Sequence, residues 1–130
     1  MRRNPAKTIL IVADDLGFVL WAGQALANAK YTPLAAKNVA EARQLMEETP
    51  FEIGVFIIDP SLAGATEWLK MLRAQPRPVK VFALGNPPAE TAELSGADGV
   101  VLQPSDPDSP RAATTWVKTL ERCLLRHSAA

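Results

Sequence analysis

The sequence predicts a single α/β domain: a parallel sheet, doubly wound, with helices on both of its faces. Three observations predict it. Short apolar runs alternate with helical patterns from one end of the chain to the other. The runs are almost continuously apolar and rich in Val and Ile, as strands covered on both faces require. The chain has 130 residues, 48% of them hydrophobic and 22% charged, which suffices for one core and is too short for two ordinary domains. Strand–helix alternation inside one domain implies right-handed crossovers. The domain spans 1–130 with a core of about 7–125, and residues 1–6 and 126–130 read as loose ends.

The first strand is Ile9–Ala13, which stops at the adjacent carboxylates Asp14 and Asp15. Phe18, Ala22, Ala25, Leu26 and Ala29 then form the apolar stripe of a first helix. The second strand, Thr32–Ala36, carries Pro33, which has no N–H for a ladder and so belongs at a sheet edge. Asn38 with Glu41 three residues on reads as a capping box, followed by Val39, Ala42, Leu45 and Met46 on one helical face. The third strand, Ile53–Ile58, delivers Asp59. A short helix over Thr66–Leu72 carries Trp68, Leu69 and Leu72. The fourth strand is Val79–Leu84, and behind Pro87 and Pro88 only a stub of helix fits, around Ala89–Leu94. The fifth strand is Val100–Leu102. Ser109 followed by Pro110 reads as an N-cap and first helical position, before Ala113, Val117, Leu120 and Leu124 at helical spacing.

Composition excludes several function classes. Lys plus Arg and Asp plus Glu number 14 each, so there is no overall attraction to nucleic acid or an anionic membrane. The single Cys123 excludes an internal disulfide and fits a reducing compartment. No segment is long enough to span a bilayer, and the expectation is a soluble cytoplasmic domain. His127 lies in a tail and Cys123 on the last helical face. Trp21, Trp68 and Trp116 read as packing or partner-facing residues, and Arg43, Lys70, Arg73 and Arg77 as solvated helix faces.

Doubly wound sheets bind ligands at the carboxyl ends of their strands. With the first and third strands side by side, Asp14, Asp15 and Asp59 converge there. Three carboxylates repel one another unless something positive sits among them. A hard divalent cation, Mg²⁺ or Mn²⁺, held by carboxylates and waters, answers that charge. An aspartate beside such a cation can also serve as a nucleophile toward a phosphoryl group.

The acidic pair Asp14–Asp15, Asp59 at the end of the third strand 44 residues after Asp15, and "GADGVVLQP" at 96–104 together resemble the receiver domain of bacterial response regulators, over nearly the whole chain. The resemblance implies the CheY-like, flavodoxin-like fold with strand order 2-1-3-4-5. It implies Asp14 and Asp15 as Mg²⁺ ligands, Asp59 as ligand and phosphoacceptor, and the backbone carbonyl of Ser61 as a further ligand. It implies a signalling module of two-component phosphorelays rather than an enzyme. Its partners would be proteins: a histidine kinase or phosphotransfer protein, or a downstream target. Neither nucleic acid nor membrane is contacted directly, and a homodimer is compatible with the reading.

Departures from the receiver pattern bear on the switch. Receivers place a lysine before the proline after the fifth strand, where this chain has Gln103 before Pro104. They place Thr or Ser at the end of the fourth strand, where Gly85 stands. Ala63 occupies the usual proline position, and the Asp–Gly that opens the third helix is missing. An aspartyl phosphate carries nearly two negative charges. Gln103 can donate a hydrogen bond to it but brings no charge, and Gly85 has no hydroxyl to move.

Three functions follow, of which the first fits the departures best. One is an atypical receiver, or pseudo-receiver, acting through protein contacts with weak or absent phospho-switching. With no output domain among these residues, its output would pass through another protein. Another is a conventional phosphorylated receiver that tolerates Gly85 and Gln103. The third, a small enzyme or cofactor binder on the same fold, lacks a flavodoxin phosphate loop, an Asp-x-Asp after the first or third strand, and a cobalamin histidine in a loop. A plainer role for Asp14 or Asp15 is to cap the first helix, whose free N–H groups favour a carboxylate.

Overall fold

The computed structural model describes residues 7–48, 53–74, 79–85, 97–104 and 106–126. Its five parallel strands are β1 (Thr8–Val12), β2 (Thr32–Ala36), β3 (Val55–Ile58), β4 (Lys80–Gly85) and β5 (Gly99–Leu102). They lie in the order β2-β1-β3-β4-β5. That is the order expected of the sequence, with Pro33 on an edge strand opposite Ile9. The described helices are α1 (Leu16–Asn28), α2 (Val39–Glu48), α3 (Ala65–Arg73) and α4 (Ala112–Arg126). The expected stub at Ala89–Leu94 lies outside the described residues, as do His127 and Arg77. No described helix is long and apolar enough to cross a membrane.

The strands sort their side chains with the period of two that the pleat dictates. Ile9, Ile11, Val55, Ile57, Phe82, Leu84 and Val101 face α1 and α4 in one core layer. Leu10, Val12, Phe56, Ile58, Val81 and Ala83 face α2 and α3 in the other. Both faces are therefore covered, which explains the unbroken apolar runs. On the first face Phe18, Trp21 and Trp116 form an aromatic cluster, with centroids 5.9 Å apart for Phe18–Trp116 and 5.5 Å for Trp21–Trp116. On the second, Trp68 meets Phe56 edge-on at 5.6 Å. All three tryptophans thus pack within the fold. Cys123 is partly buried against the first core layer.

Local signals hold with small corrections. The amide of Glu41 donates to Asn38 Oδ1 (2.8 Å), but Glu41 Oε1 accepts from the amide of Lys37, one residue before the capping-box position. α4 starts two residues later than the Ser109–Pro110 signal indicates. The amides of Ser109 and Ala112 donate to Asp106 and Ser109 carbonyls as turns, and the first i to i−4 bond runs from Thr115 to Arg111. Arg111 rather than Ser109 opens the helix. Arg73 is a second correction. It is not merely part of a solvated face: its guanidinium donates to Val79 O and to Asp98 Oδ2, both at 2.8 Å. α1 closes with a Schellman turn, in which the amides of Lys30 and Tyr31 donate to Ala27 O (3.1 Å) and Leu26 O (3.0 Å). Lys30 occupies the left-handed position at φ 75°, where glycine is usual.

Candidate functional site

The carboxyl ends of β1 and β3 are neighbours because Val12 pairs with Ile58. The amide of Asp59 continues that ladder by donating to Val12 O at 2.8 Å, while the amide of Ala13 donates to Ala36 O at 3.0 Å. The chain leaves β1 into Asp14 and Asp15 and leaves β3 into Asp59. The parallel register alone therefore delivers the three aspartates to one end of the sheet.

Each aspartate has its own surroundings. Asp15 is the N-cap of α1: its backbone is extended (φ −82°, ψ 93°), and Oδ1 accepts from the amide of Phe18 at 3.1 Å. The plainer role considered for the acidic pair is thus real for Asp15. A carboxylate there also suits the positive end of the helix dipole. Asp14 is exposed to solvent. Asp59 is half-buried, and its Oδ1 accepts from both the amide and the hydroxyl of Ser61, at 2.9 and 2.7 Å. The Asp59 carbonyl accepts from Leu62 at 3.2 Å, so the chain turns at once after the strand. Gly64, at φ +82°, then lets the chain enter α3.

The donor set does not close round a cation. Its hard carboxylate oxygens suit Mg²⁺ chemically. Yet one oxygen of Asp15 is engaged by α1 and one of Asp59 by Ser61. Among the described residues, no three His, Cys, Asp or Glu side chains are arranged to hold a metal ion. As folded, Asp14, Asp15, Asp59 and Ser61 share a sheet end without forming a metal cage.

On the other side of the same sheet end, β4 and β5 pair Gly85 with Leu102, and the amide of Gln103 donates to Gly85 O at 2.8 Å. Gly85 is buried and Gln103 half-buried. The two positions flank one another beside the aspartates' end of the sheet. Neither brings a hydroxyl or a positive charge. Two indoles, expected from the sequence to be packing or partner-facing, fasten the loop beyond β5. Trp116 Nε1 donates to Leu102 O at 3.0 Å and Trp21 Nε1 to Pro107 O at 3.1 Å. No spacing signal marks such bonds; they arise where α1, α4 and the loop meet.

No protein-family model and no curated protein matches the chain. Solved structures do. The chemotaxis response regulator CheY4 of Vibrio cholerae is 22% identical, with 89% of this chain and 97% of that one covered at a TM-score of 0.67. The signal receiver domain of a histidine kinase from Syntrophus aciditrophicus is 19% identical, with 95% and 94% covered at 0.68. A response regulator from Thermotoga maritima is 17% identical, with 90% and 96% covered at 0.68. The fold of this chain is the CheY-like receiver fold.

Proposed function

We propose that this chain is an atypical receiver domain of two-component signalling, working through protein contacts with a weak phospho-switch or none. The observation that carries the proposal is an asymmetry at one sheet end. Asp59 stands beside the end of β1 as a phosphoacceptor would, whereas on the β4–β5 side the described residues at the strand ends are Gly85 and Gln103, with neither hydroxyl nor positive charge. The likeness to response regulators of known structure supports the receiver part of that reading. Asp59 is the group that would take a phosphoryl, and Asp14 and Asp15 supply the acidic surroundings. A histidine kinase, a phosphotransfer protein or a downstream target is the class of partner this role requires.

A bound phosphoryl shifts a two-state equilibrium only by its differential contacts in the two states. Hydrogen bonds to charged groups contribute about 1.5–3 kcal/mol each. Lacking two such contacts removes roughly 3–6 kcal/mol, comparable with the about 5.5 kcal/mol that turns a 1:99 population into 99:1. Beryllium fluoride with Mg²⁺, as a mimic of phospho-Asp59, should therefore perturb the amide NMR shifts of β4 and β5 little. Gly85→Thr combined with Gln103→Lys should enlarge the response. Broad shifts across both strands in the unsubstituted protein would instead identify a conventional, switching receiver.

A further inference from the structure

The exposed face of α1 is unusual for a surface helix. From Leu16 to Asn28 the helix has no charged residue, although surface helices ordinarily turn charges to water. Leu16 and Leu20 are 69% and 66% exposed, and with Ala27 they follow one another along the outer face. Packing inside the molecule does not account for the glycine at 23, since a Cβ added there meets nothing within 4 Å. The buried side of the helix is complete without this face: Phe18, Val19, Ala22, Ala25 and Leu26 fill it.

The two ends of the face differ in charge. At its N-terminal end stand exposed Asp14 and Asp15. The Trp21 indole bond to Pro107 O brings the loop with Asp106 and Asp108, both exposed, to the same end. At its C-terminal end stands exposed Lys30, and exposed Lys118 shares a groove with Asn28 and with Glu121, whose carboxylate accepts from the Tyr31 hydroxyl. Lys30 holds a left-handed backbone in which glycine would be easier. An apolar strip with one acidic and one basic end is complementary to itself when turned end for end.

We infer that α1 is a self-association surface: two copies of this chain pair antiparallel through it about a twofold axis. In such an isologous contact residue i meets j and j meets i. Setting Leu16 against Ala27 and Leu20 against Gly23 of the second copy puts Asp14 of each beside Lys30 of the other. A parallel pairing would set acid against acid. A partner of a single charge would satisfy one end and be repelled at the other, which favours a second copy. One helix face falls at the low end of interface sizes, below about 1,200 Å² in total, so the dimer is weak and forms at high concentration. This pairing does not depend on phosphorylation or on the signalling role.

Sedimentation equilibrium of the full chain, from micromolar to millimolar protein, tests it. The mass should climb from the 14.0 kDa of the monomer toward twice that value, and added salt should weaken the rise. Leu20→Glu and, independently, Ala27→Glu should each raise the dissociation constant about tenfold or more by burying a charge. Both sites are exposed, so the melting midpoint should stay near that of the parent. Lys30→Glu should weaken the dimer, and adding Asp14→Lys to it should restore the affinity. A monomer throughout the range, a dimer indifferent to both glutamates, or a charge exchange that restores nothing would overturn the inference.

Discussion

The Asp59–Ser61 contact is where residue chemistry bears most directly on function. Both the amide and the hydroxyl of Ser61 end on the same oxygen, Asp59 Oδ1. A cation or a phosphoryl donor must compete with them. Ser61→Ala removes one of the two, so less Mg²⁺ should be needed to raise the melting midpoint, since a ligand that binds the folded state stabilises it by mass action. Equal Mg²⁺ titrations of the two proteins would show that the hydroxyl is no obstacle. Tyr31 offers a second test. Burial, then the hydrogen bond to Glu121 at 2.8 Å and the charge of Glu121, push its hydroxyl up to about 12 from 10.0. The folded state thus favours the protonated phenol. Its contribution is complete below the ordinary tyrosine value and is lost as pH rises from there through the folded value. Tyr31→Phe should cost about 1–2 kcal/mol at neutral pH. The gap between variant and parent in urea melts should narrow between pH 10 and about 12. A gap that stays constant over that window would mean that folding does not raise the Tyr31 hydroxyl.

Between elements, Asp98 ties α3 to the start of β4. Its Oδ2 accepts from Arg73 Nη2 and from the amide of Val81, each at 2.8 Å. Burial alone would raise this carboxyl, but the Arg73 and Val81 hydrogen bonds and the charges of Arg73 and Lys80 hold it below its usual value. A depressed carboxyl stabilises the fold above the ordinary carboxylate range and loses that contribution as pH falls through its own lowered value. Asp98→Asn should cost about 1–2 kcal/mol at neutral pH, and the difference should fade as acid protonates the Asp98 carboxyl below the ordinary carboxylate range. A cost independent of pH would assign the loss to shape rather than charge. The clamp also shows what was illegible in the sequence. Arg73, on α3, and Asp98, in the bend before β5, are 25 residues apart, and no local period links them. Helix interiors were legible because apolar spacing is local. The start of α4 was not, because two consecutive turns before Ala112 postpone a helix that Ser109–Pro110 signals on its own.

At the scale of the whole molecule the strand order was legible from four buried apolar runs, one proline and the alternation of elements. A sheet covered on both faces leaves few other arrangements for such a sequence. That Asp14, Asp15 and Asp59 come to one end of the sheet followed from that order, because parallel strands all end on one side. The orientation of each carboxylate did not follow, since Asp15 turns to its helix and Asp59 to Ser61 through bonds only a few residues long. Nor was the fastening of the β5 loop by Trp21 and Trp116 visible, because it requires three elements at once. Pro33 has a consequence beyond the boundary it marks. Sheets polymerise, as in amyloid, when a new strand docks on an unfinished edge and copies its hydrogen bonds. β2 offers an incoming strand one donor fewer than its length promises, and β5, at the opposite border, is only four residues long. Fibre growth by strand addition therefore finds a poor template at either border of the sheet.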